Sequence, residues 1–571
     1  MAPVAERTLF DSSARTREVY SRATVGRAFS SSYLAGETAA AAFLPRDFRD
    51  PAVRIAAARR AAERRIEPAL MAVLAEQQAA LPASAARDRN LAALHAGHAA
   101  VVVSGQQVGL FLGPLYTFYK AATAIAAARA IEGESGVRCV PLFWLQTEDH
   151  DFAEIAGCTV AGREGAPVRL ALAEGAPELE RTSVAHRQLG AEVTTLIDAF
   201  ADLAEATTPA AREVVDLLRA HYRPGRSMAA AFAGAMAAIF ADEGLLFLDP
   251  RDARVARLAA PIYRRAITGA GAIDGRLARQ EQRLRDAGFD CQVAVRAGSP
   301  LVFFHAHGAL GPRCRMRASA GDDSPGGGTW RLDGGEATIS TAALLDTLAR
   351  DPLCFSTSAL LRPIVQDALL PAVAYVGGPA ELNYFAELDP LYDYFGVSPA
   401  LVLPRARFRC VEAPARRWRD ALGLSADDVE RPLSDLLARV AVPTEGAPHP
   451  DRLRQRIEAE IAPVVAEIAG GVAAAEPALE RAAERTRVSV ARALRRLTDR
   501  YARRLAERDG VTLRRLERLR AALYPDGAPQ ERVFGWPALA ARIGAAEFKR
   551  LVFDRLAEVG PFVTALQDLR P

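Results

Sequence analysis

The sequence predicts an α/β core built on a parallel sheet, followed by a helical coiled-coil domain. Three observations carry this. The apolar runs AAVVVSG (99–105) and RCVPLFWL (138–145) flank a glycine-rich loop and a helical pattern over 115–131. Strand, loop, helix and strand make one βαβ unit and start a parallel sheet. Further short apolar runs, GLLFLD (244–249) and LLPAVAYVGG (369–378), alternate with helical segments. From 450 to 523 the chain turns charged, with apolar residues at three- and four-residue steps.

Taken in order, residues 1–50 show no clear period. Ile55, Ala58, Ala62, Ile66, Leu70 and Leu74 predict a helix over 51–80, and another follows over 84–96. After the first strand comes the loop GQQVGLFLG (105–113), with Pro114 at the first helical position. Residues 157–174 read as short strands, and 187–220 as helical, with Ile197, Phe200, Val214 and Leu218 among the apolar positions. A small-residue helix over 227–242, the strand 244–249 and a helix over 252–268 form a second α/β stretch. Residues 291–333 are strand-rich, with CQVAV and PLVFFHA, and end in the turn-rich GDDSPGGG. The stretch 341–404 returns to helix and strand, including a helix from Pro379 to Phe395. Leu453, Ile457, Ile461, Val464 and Ile468, then Val490, Leu494, Leu497, Tyr501 and Leu505, predict two or three helices packed as a coiled-coil hairpin, interrupted at Gly470, Gly471, Pro477 and Gly510. The expected division is an α/β core with connecting insertions over 1–410, a helical dimerisation domain over 411–525, and a segment over 526–571 that returns to the core.

Composition narrows the function. Half the residues are apolar and a quarter charged, enough for a large core. A net charge of +3 from 72 basic and 69 acidic residues gives no field for nucleic acid or an anionic membrane. The N-terminus is polar within ten residues and no run approaches 18 apolar residues, so neither a signal peptide nor a membrane span is expected. The six cysteines stand apart without CxxC, which fits a reducing cytoplasm and gives no zinc site. Of the 72 basic residues only Lys120 and Lys549 are lysine. A lysine kept against such arginine usage marks a place where a planar fork cannot replace a compact ammonium. Lys120 lies inside a motif; Lys549 does not.

Three constellations offer chemistry. The first is SGQQVGLFLGPLYTFYK (104–120), at the carboxyl end of a strand, where α/β proteins place ligands. Gly105, Gly109 and Gly113 permit close backbone approach, and the helix near Pro114 presents free N–H groups to a phosphate. Gly105, Gln106, Gln107, Gly113, Pro114, Tyr116 and Lys120 are the nucleotide candidates; a bland glycine-rich turn is the alternative. The second is Glu148, Asp149, His150 and Asp151, after the next strand. These acids repel one another unless a cation joins them, such as a magnesium–nucleotide complex or a substrate amine. His150 is a candidate base, and one aspartate is expected to serve as a helix N-cap. The third spans 355–407. Arg362, Gln366 and Asp367 share a helix face, Gly378 opens a second Gly-Pro helix start followed by Glu381, and Arg405 closes the stretch. The pairs His95/His98 and His305/His307 read as structural.

GQQVGLFLGPLYTFYK, PLFWLQTEDHDFAEI, LLRPIVQDALLPAVAYVGGPAELNYFAEL and the late loop YPDGAPQERV, in this order, resemble the BshC family, cysteine ligases of bacillithiol biosynthesis. The resemblance covers nearly the whole chain. It implies a Rossmann-like nucleotide-binding core with inserted segments and a coiled-coil domain for homodimerisation. It also implies ATP-dependent addition of cysteine to the amine of glucosaminyl-malate, with Mg²⁺ accompanying ATP. Lys120, Glu148, His150 and Asp151 are then the catalytic candidates. Gln106, Tyr116, Asp149, Arg362, Gln366, Gly378, Glu381 and Arg405 are among those that bind nucleotide or substrate. The His-Ile-Gly-His and Lys-Met-Ser-Lys-Ser motifs of related synthetase cores are missing. A nucleotidyltransferase on the same core, or a nucleotide-binding scaffold without turnover, is the alternative.

Overall fold

The computed structural model describes residues 28–571 apart from 163–164, 174–180, 294–296, 320–327, 334–336 and 444. The expected turn-rich stretch GDDSPGGG lies almost wholly outside the described residues. Five parallel strands form the central sheet: β1 (Ala99–Gln106), β2 (Arg138–Leu145), β5 (Leu246–Leu248), β11 (Ala372–Gly377) and β12 (Leu401–Pro404), in the spatial order β12-β11-β1-β2-β5. Burial on both faces explains why these strands read as continuous apolar runs. On β2, Leu142 and Trp144 join one core layer while Phe143 and Leu145 join the other. Between β5 and β11 the chain inserts an antiparallel sheet of β6 (Val302–His305), β7 (Arg313–Ala318), β8 (Thr329–Leu332), β9 (Thr338–Ser340) and β10 (Phe355–Thr357). A hairpin of β3 (Gly157–Ala161) and β4 (Pro167–Ala171) follows β2.

Several expected elements are divided differently. The helix over 51–80 is two, Pro51–Ala62 and Pro68–Ala79. Pro68 has no N–H to donate and holds Glu67 extended, so the first helix ends before it. The stretch Pro379–Phe395 is also two helices, Pro379–Phe385 and Asp389–Phe395. Cys291–Val293 of CQVAV are not strand. Pro114 is the N-cap rather than the first helical residue of Leu115–Ser135.

The helical region begins after β13 (Arg407–Cys410) and has its own core, including Val411, Val429, Leu436, Ala502, Leu516 and Leu519. A π-turn at Ile457–Ile461 joins Pro450–Arg456 to Ala462–Ala475, which pairs with the long helix Glu480–Arg508. Gly470 and Gly471 stay helical, and the break falls at Pro477. After Gly510–Leu523 the chain comes back: Phe534, Trp536, Leu539 and Phe548 bury in the core layer that holds Phe143, and β14 (Leu566–Leu569) pairs with β13. No helix among the described residues is long and apolar enough to cross a membrane.

Gly105 is needed where β1 and β2 meet. A Cβ there would stand 2.7 Å from the Trp144 carbonyl oxygen, a backbone atom that cannot step aside. Gly105→Ala therefore forces the two central strands apart and costs about 1–3 kcal/mol, as overpacking does. Urea denaturation checks this, and an unchanged midpoint would refute it.

Candidate active site

Ordered by their place in the chain, the central strands run third, second, first, fourth, fifth, so the order reverses between β1 and β11. In open parallel sheets, ligands bind at such a reversal, outside the carboxyl ends of the strands. A cleft of about 280 Å³ opens there. Gln106, Tyr116 and Lys120 line it from β1 and the helix after it, Gly378 and Glu381 from the turn after β11. Trp144, Glu148, Asp149 and Glu154 enter from β2 and beyond. Arg313 and Thr357 reach in from the inserted sheet, and Arg532 from the late YPDGAPQERV loop.

Lys120 spans the reversal. It is 3% exposed, with Nζ 2.5 Å from Glu381 and hydrogen bonds of 2.9 Å to the Gly105 carbonyl and to Gln106 Oε1. Burial pulls its pKa below the usual lysine value, and Glu381 opposes that pull. Burial works to raise the Glu381 carboxyl, but the Lys120 charge and the hydrogen bonds from Lys120, Tyr375 and the Gly378 N–H together outweigh it and hold the group below the ordinary carboxylate range. Tyr375 and the Gly378 N–H (2.7 Å) also donate to Glu381. Of the three glycine-rich candidates, Gly105 thus supplies a carbonyl to Lys120 and clearance for Trp144.

The acidic cluster divides. Glu148 is buried and accepts from Thr357 Oγ1 at 2.5 Å; burial raises its pKa against that bond. Asp149 accepts from Gln107 (2.7 Å), from Arg313 (3.0 Å) and from the His150 N–H (2.8 Å). Burial acts to raise its carboxyl, yet His150 and Arg313 prevail and hold it well below the usual range. His150 does not line the cleft: its Nδ1 sits between Asp149 (3.3 Å) and Arg313 (3.1 Å). Asp151 also stays outside and caps the four-residue helix Phe152–Ile155 by accepting from the Glu154 N–H at 3.1 Å.

The expected phosphate site at Gly113 and Pro114 is closed. The Leu115 N–H donates to the Phe534 carbonyl at 2.8 Å, and Pro114 bridges to Gly535. The returning C-terminal segment, not a ligand, meets that helix end. Only the second Gly-Pro start, at Gly378, walls the cleft. Arg362 lines the cleft between Gln366 (2.8 Å) and Tyr384 (3.0 Å), with its guanidinium 4.8 Å from the Tyr375 ring centroid. Gln366 is fully buried behind it and donates to Asp367. Arg405 is gripped by both Glu531 oxygens, at 2.7 and 2.8 Å. His305 bonds Ser356 and the Gly311 carbonyl, a structural placement.

Arg313, Thr357, Glu154 and Arg532 were not among the sequence candidates. Arg313 and Thr357 lie on strands of the insertion and carry no motif. Glu154 and Arg532 sit inside quoted motifs, and their exposure to the cleft appears only once the segments are folded.

Residues 15–406 match the N-terminal Rossmann-like domain of bacillithiol biosynthesis protein BshC, and 408–557 match its C-terminal coiled-coil domain. A protein of Salinibacter ruber named "Putative cysteine ligase BshC" is 34% identical over 409 residues, 71% of this chain and 72% of its own. Proteins of the same name from Chlorobaculum tepidum and Symbiobacterium thermophilum are 30% and 32% identical, covering 81% and 86% of this chain and 82% and 88% of theirs. With a Rossmann-order sheet, a helical domain and both family domains matched in sequence, this chain belongs to the BshC family of bacillithiol biosynthesis.

Proposed function

We propose that the protein is an ATP-dependent ligase that joins the cysteine carboxyl to the amine of glucosaminyl-malate. The observation that carries the reading is the charge balance of the cleft at the strand reversal. Lys120, Arg313 and Arg405 each face a carboxylate. Arg362 is held by neutral groups, and Arg532 is exposed with no hydrogen-bonded or ion-paired side chain among the described residues. Glu148, meanwhile, is disfavoured as an anion, which leaves Glu154, among the described residues, as the one cleft carboxylate set against Arg362 and Arg532. This surplus of positive charge supports an anionic substrate, a polyphosphate or a dicarboxylate, at a place where open parallel sheets bind nucleotides. Lys120 and Arg532 lie where they would oppose charge building on a transferring phosphate.

A carboxylate is a poor electrophile, so the cysteine carboxyl is first activated by ATP, which arrives with Mg²⁺. The amine nitrogen then attacks the activated carbonyl and displaces the phosphate-bearing group. Purified protein given cysteine, glucosaminyl-malate and Mg-ATP is expected to form bacillithiol, read by mass spectrometry of both thiol and nucleotide. AMP marks an adenylate route and ADP an acyl phosphate. Nucleotide exchange without cysteine would favour the nucleotidyltransferase reading, and no cysteine-dependent product would favour the scaffold. The free cysteines agree with the cytoplasmic setting proposed for this reaction.

The helical hairpin is proposed to join two copies. Ile461, Val464, Ile468 and Val472, three or four residues apart on the hairpin, are 43%, 52%, 62% and 41% exposed. A stripe of this kind on a long amphipathic helix is buried by a partner face. Light scattering is expected to give twice the chain mass, and Ile468→Lys to give the chain mass. A wild-type monomer at every concentration would refute the pairing.

A further inference from the structure

The carboxylates that line the cleft differ in how they are occupied. Glu381 is bound by Lys120, Tyr375 and the Gly378 N–H. Asp149 is bound by Arg313, Gln107 and His150. Glu148 is buried against Thr357. Glu154 is different. It lines the cleft, and its carboxyl makes no hydrogen bond or ion pair among the described residues. Its backbone is nevertheless fixed, because its N–H is held by the capping Asp151. The side chain therefore starts from a defined point and keeps its lone pairs for something that enters the cleft.

Such a group suits the one proton that ligation must remove. The amine attacks as the free base, with its lone pair available, and its nitrogen must then shed one proton to end as a neutral amide. We propose that Glu154 is the catalytic base that takes this proton from the substrate amine. The proposal rests on the ligase reading above. The nitrogen–carbon bond forms, and the bond from the carbonyl carbon to the phosphate oxygen breaks with its electron pair leaving on that oxygen. The nitrogen's proton passes to Glu154.

The surroundings are tuned for this work. Asp151 and Asp149 flank Glu154 on its own segment, and Glu381 faces it from beyond β11. Lys120 opposes them from helix Leu115–Ser135. Tyr116 on that helix and Arg532 from the C-terminal segment line the same mouth, Arg169 reaches the Ala153 carbonyl, and Arg187 lies over the neighbouring Phe152 ring. Although Glu154 as a whole is exposed, loss of hydration and then the charges of Asp151 and Asp149 push its carboxyl up to about 7. The two aspartates are the firmer cause, since they act whether or not solvent enters. A carboxyl at about 7 is about half ionised near neutral pH and accepts a proton readily. His150, the candidate from sequence, is turned away between Asp149 and Arg313.

The test compares Glu154→Gln and Glu154→Asp with the wild-type protein, using cysteine, glucosaminyl-malate and Mg-ATP. The wild-type kcat/KM for the amine should fall on the acid side of about 7, where Glu154 is protonated. Glu154→Gln should lose on the order of a hundredfold or more, the usual share of a general base, and lose that limb. Glu154→Asp should keep the limb at reduced rate. Hydroxylamine, a nucleophile that needs no base, should trap activated cysteine at the wild-type rate in Glu154→Gln. All three proteins should melt together. A Glu154→Gln variant with wild-type kcat/KM and an intact acid limb would overturn the proposal alone. So would equal loss of hydroxamate and thiol, which marks a role before the transfer. A wild-type protein that makes no thiol would overturn the ligase reading and this proposal with it.

Discussion

Lys120→Met is expected to abolish most ligase turnover and to destabilise the fold together. The first effect comes from removing a fixed cation from the cleft, a loss of about 10²–10³ in rate when such a group meets developing charge. The second comes from Glu381. With Lys120 gone, its carboxylate sits beside Tyr375 and Gly378 with only the longer-range charges of Arg362 and Arg405 to offset it, and breaking a buried pair costs about 3–5 kcal/mol. Lys120→Arg is not a rescue. The ammonium has three acceptors at 2.5–2.9 Å at the tightly packed wall of the cleft, and a planar guanidinium does not fit that arrangement. The double variant Lys120→Met/Glu381→Gln separates the effects: stability should return while turnover does not. Urea midpoints and single-turnover rates read the two together. If Lys120→Met is as stable as wild type, the Lys120–Glu381 pair has no structural role and the argument fails.

Glu531→Gln is the second large effect, and it strikes the buried pair that holds Arg405 at the wall of the cleft. Arg405 and Glu531 side chains are each 2% exposed and share two hydrogen bonds, with Arg407 3.4 Å from the same carboxylate. Burial alone would raise the Glu531 pKa, but the two arginines outweigh it and hold it low. Removing the charge strands Arg405 and costs about 3–5 kcal/mol near neutral pH. The sign with pH follows from linkage. A carboxylate whose folded pKa lies below its unfolded value stabilises the protein above the unfolded pKa, and that stability fades as pH falls through the folded one. The stability gap between wild type and Glu531→Gln should therefore be full at pH 7 and shrink in acid. A gap that stays constant with pH would assign the loss to packing rather than charge.

Long apolar runs made most of the central sheet readable. β1, β2, β5, β11 and β12 are buried on both faces, and that burial writes itself into composition as unbroken Val, Leu and Ala. Strand order is a different matter, since nothing in 372–377 announces that β11 pairs with β1 rather than with β5. Lys120 and Glu381 were each legible, one through rarity and one through a Gly-Pro helix start. That they meet at 2.5 Å depends on the strand reversal. The glycine-rich loop misled for a physical reason: Gly113 and Pro114 do approach a backbone closely, but it is the Phe534–Gly535 backbone of the same chain. A close approach leaves the same trace in sequence whichever partner makes it. Pro68 was visible, and the break it enforces was masked by an apolar period that happens to stay in phase across it. Arg313 went unread because it is one of three alternating arginines in RCRMRA (313–318), and such a run reads as the solvated face of a strand.

The return of residues 530–569 to the core has a consequence for how the molecule is made. A ribosome releases β1, β2 and the helix between them long before it releases Phe534, Gly535 or β14, yet these late residues close the 109–115 loop and complete the pairing of β13. Chains fold from the N-terminus as they emerge, so the nascent core waits with an apolar face open until residues 530–569 have been made. A transcript cut short anywhere in the helical region therefore yields a core that is sticky rather than merely shorter. Such remnants are natural targets for chaperones and proteases, and the cleft gains Arg532 only after the whole helical region has been made.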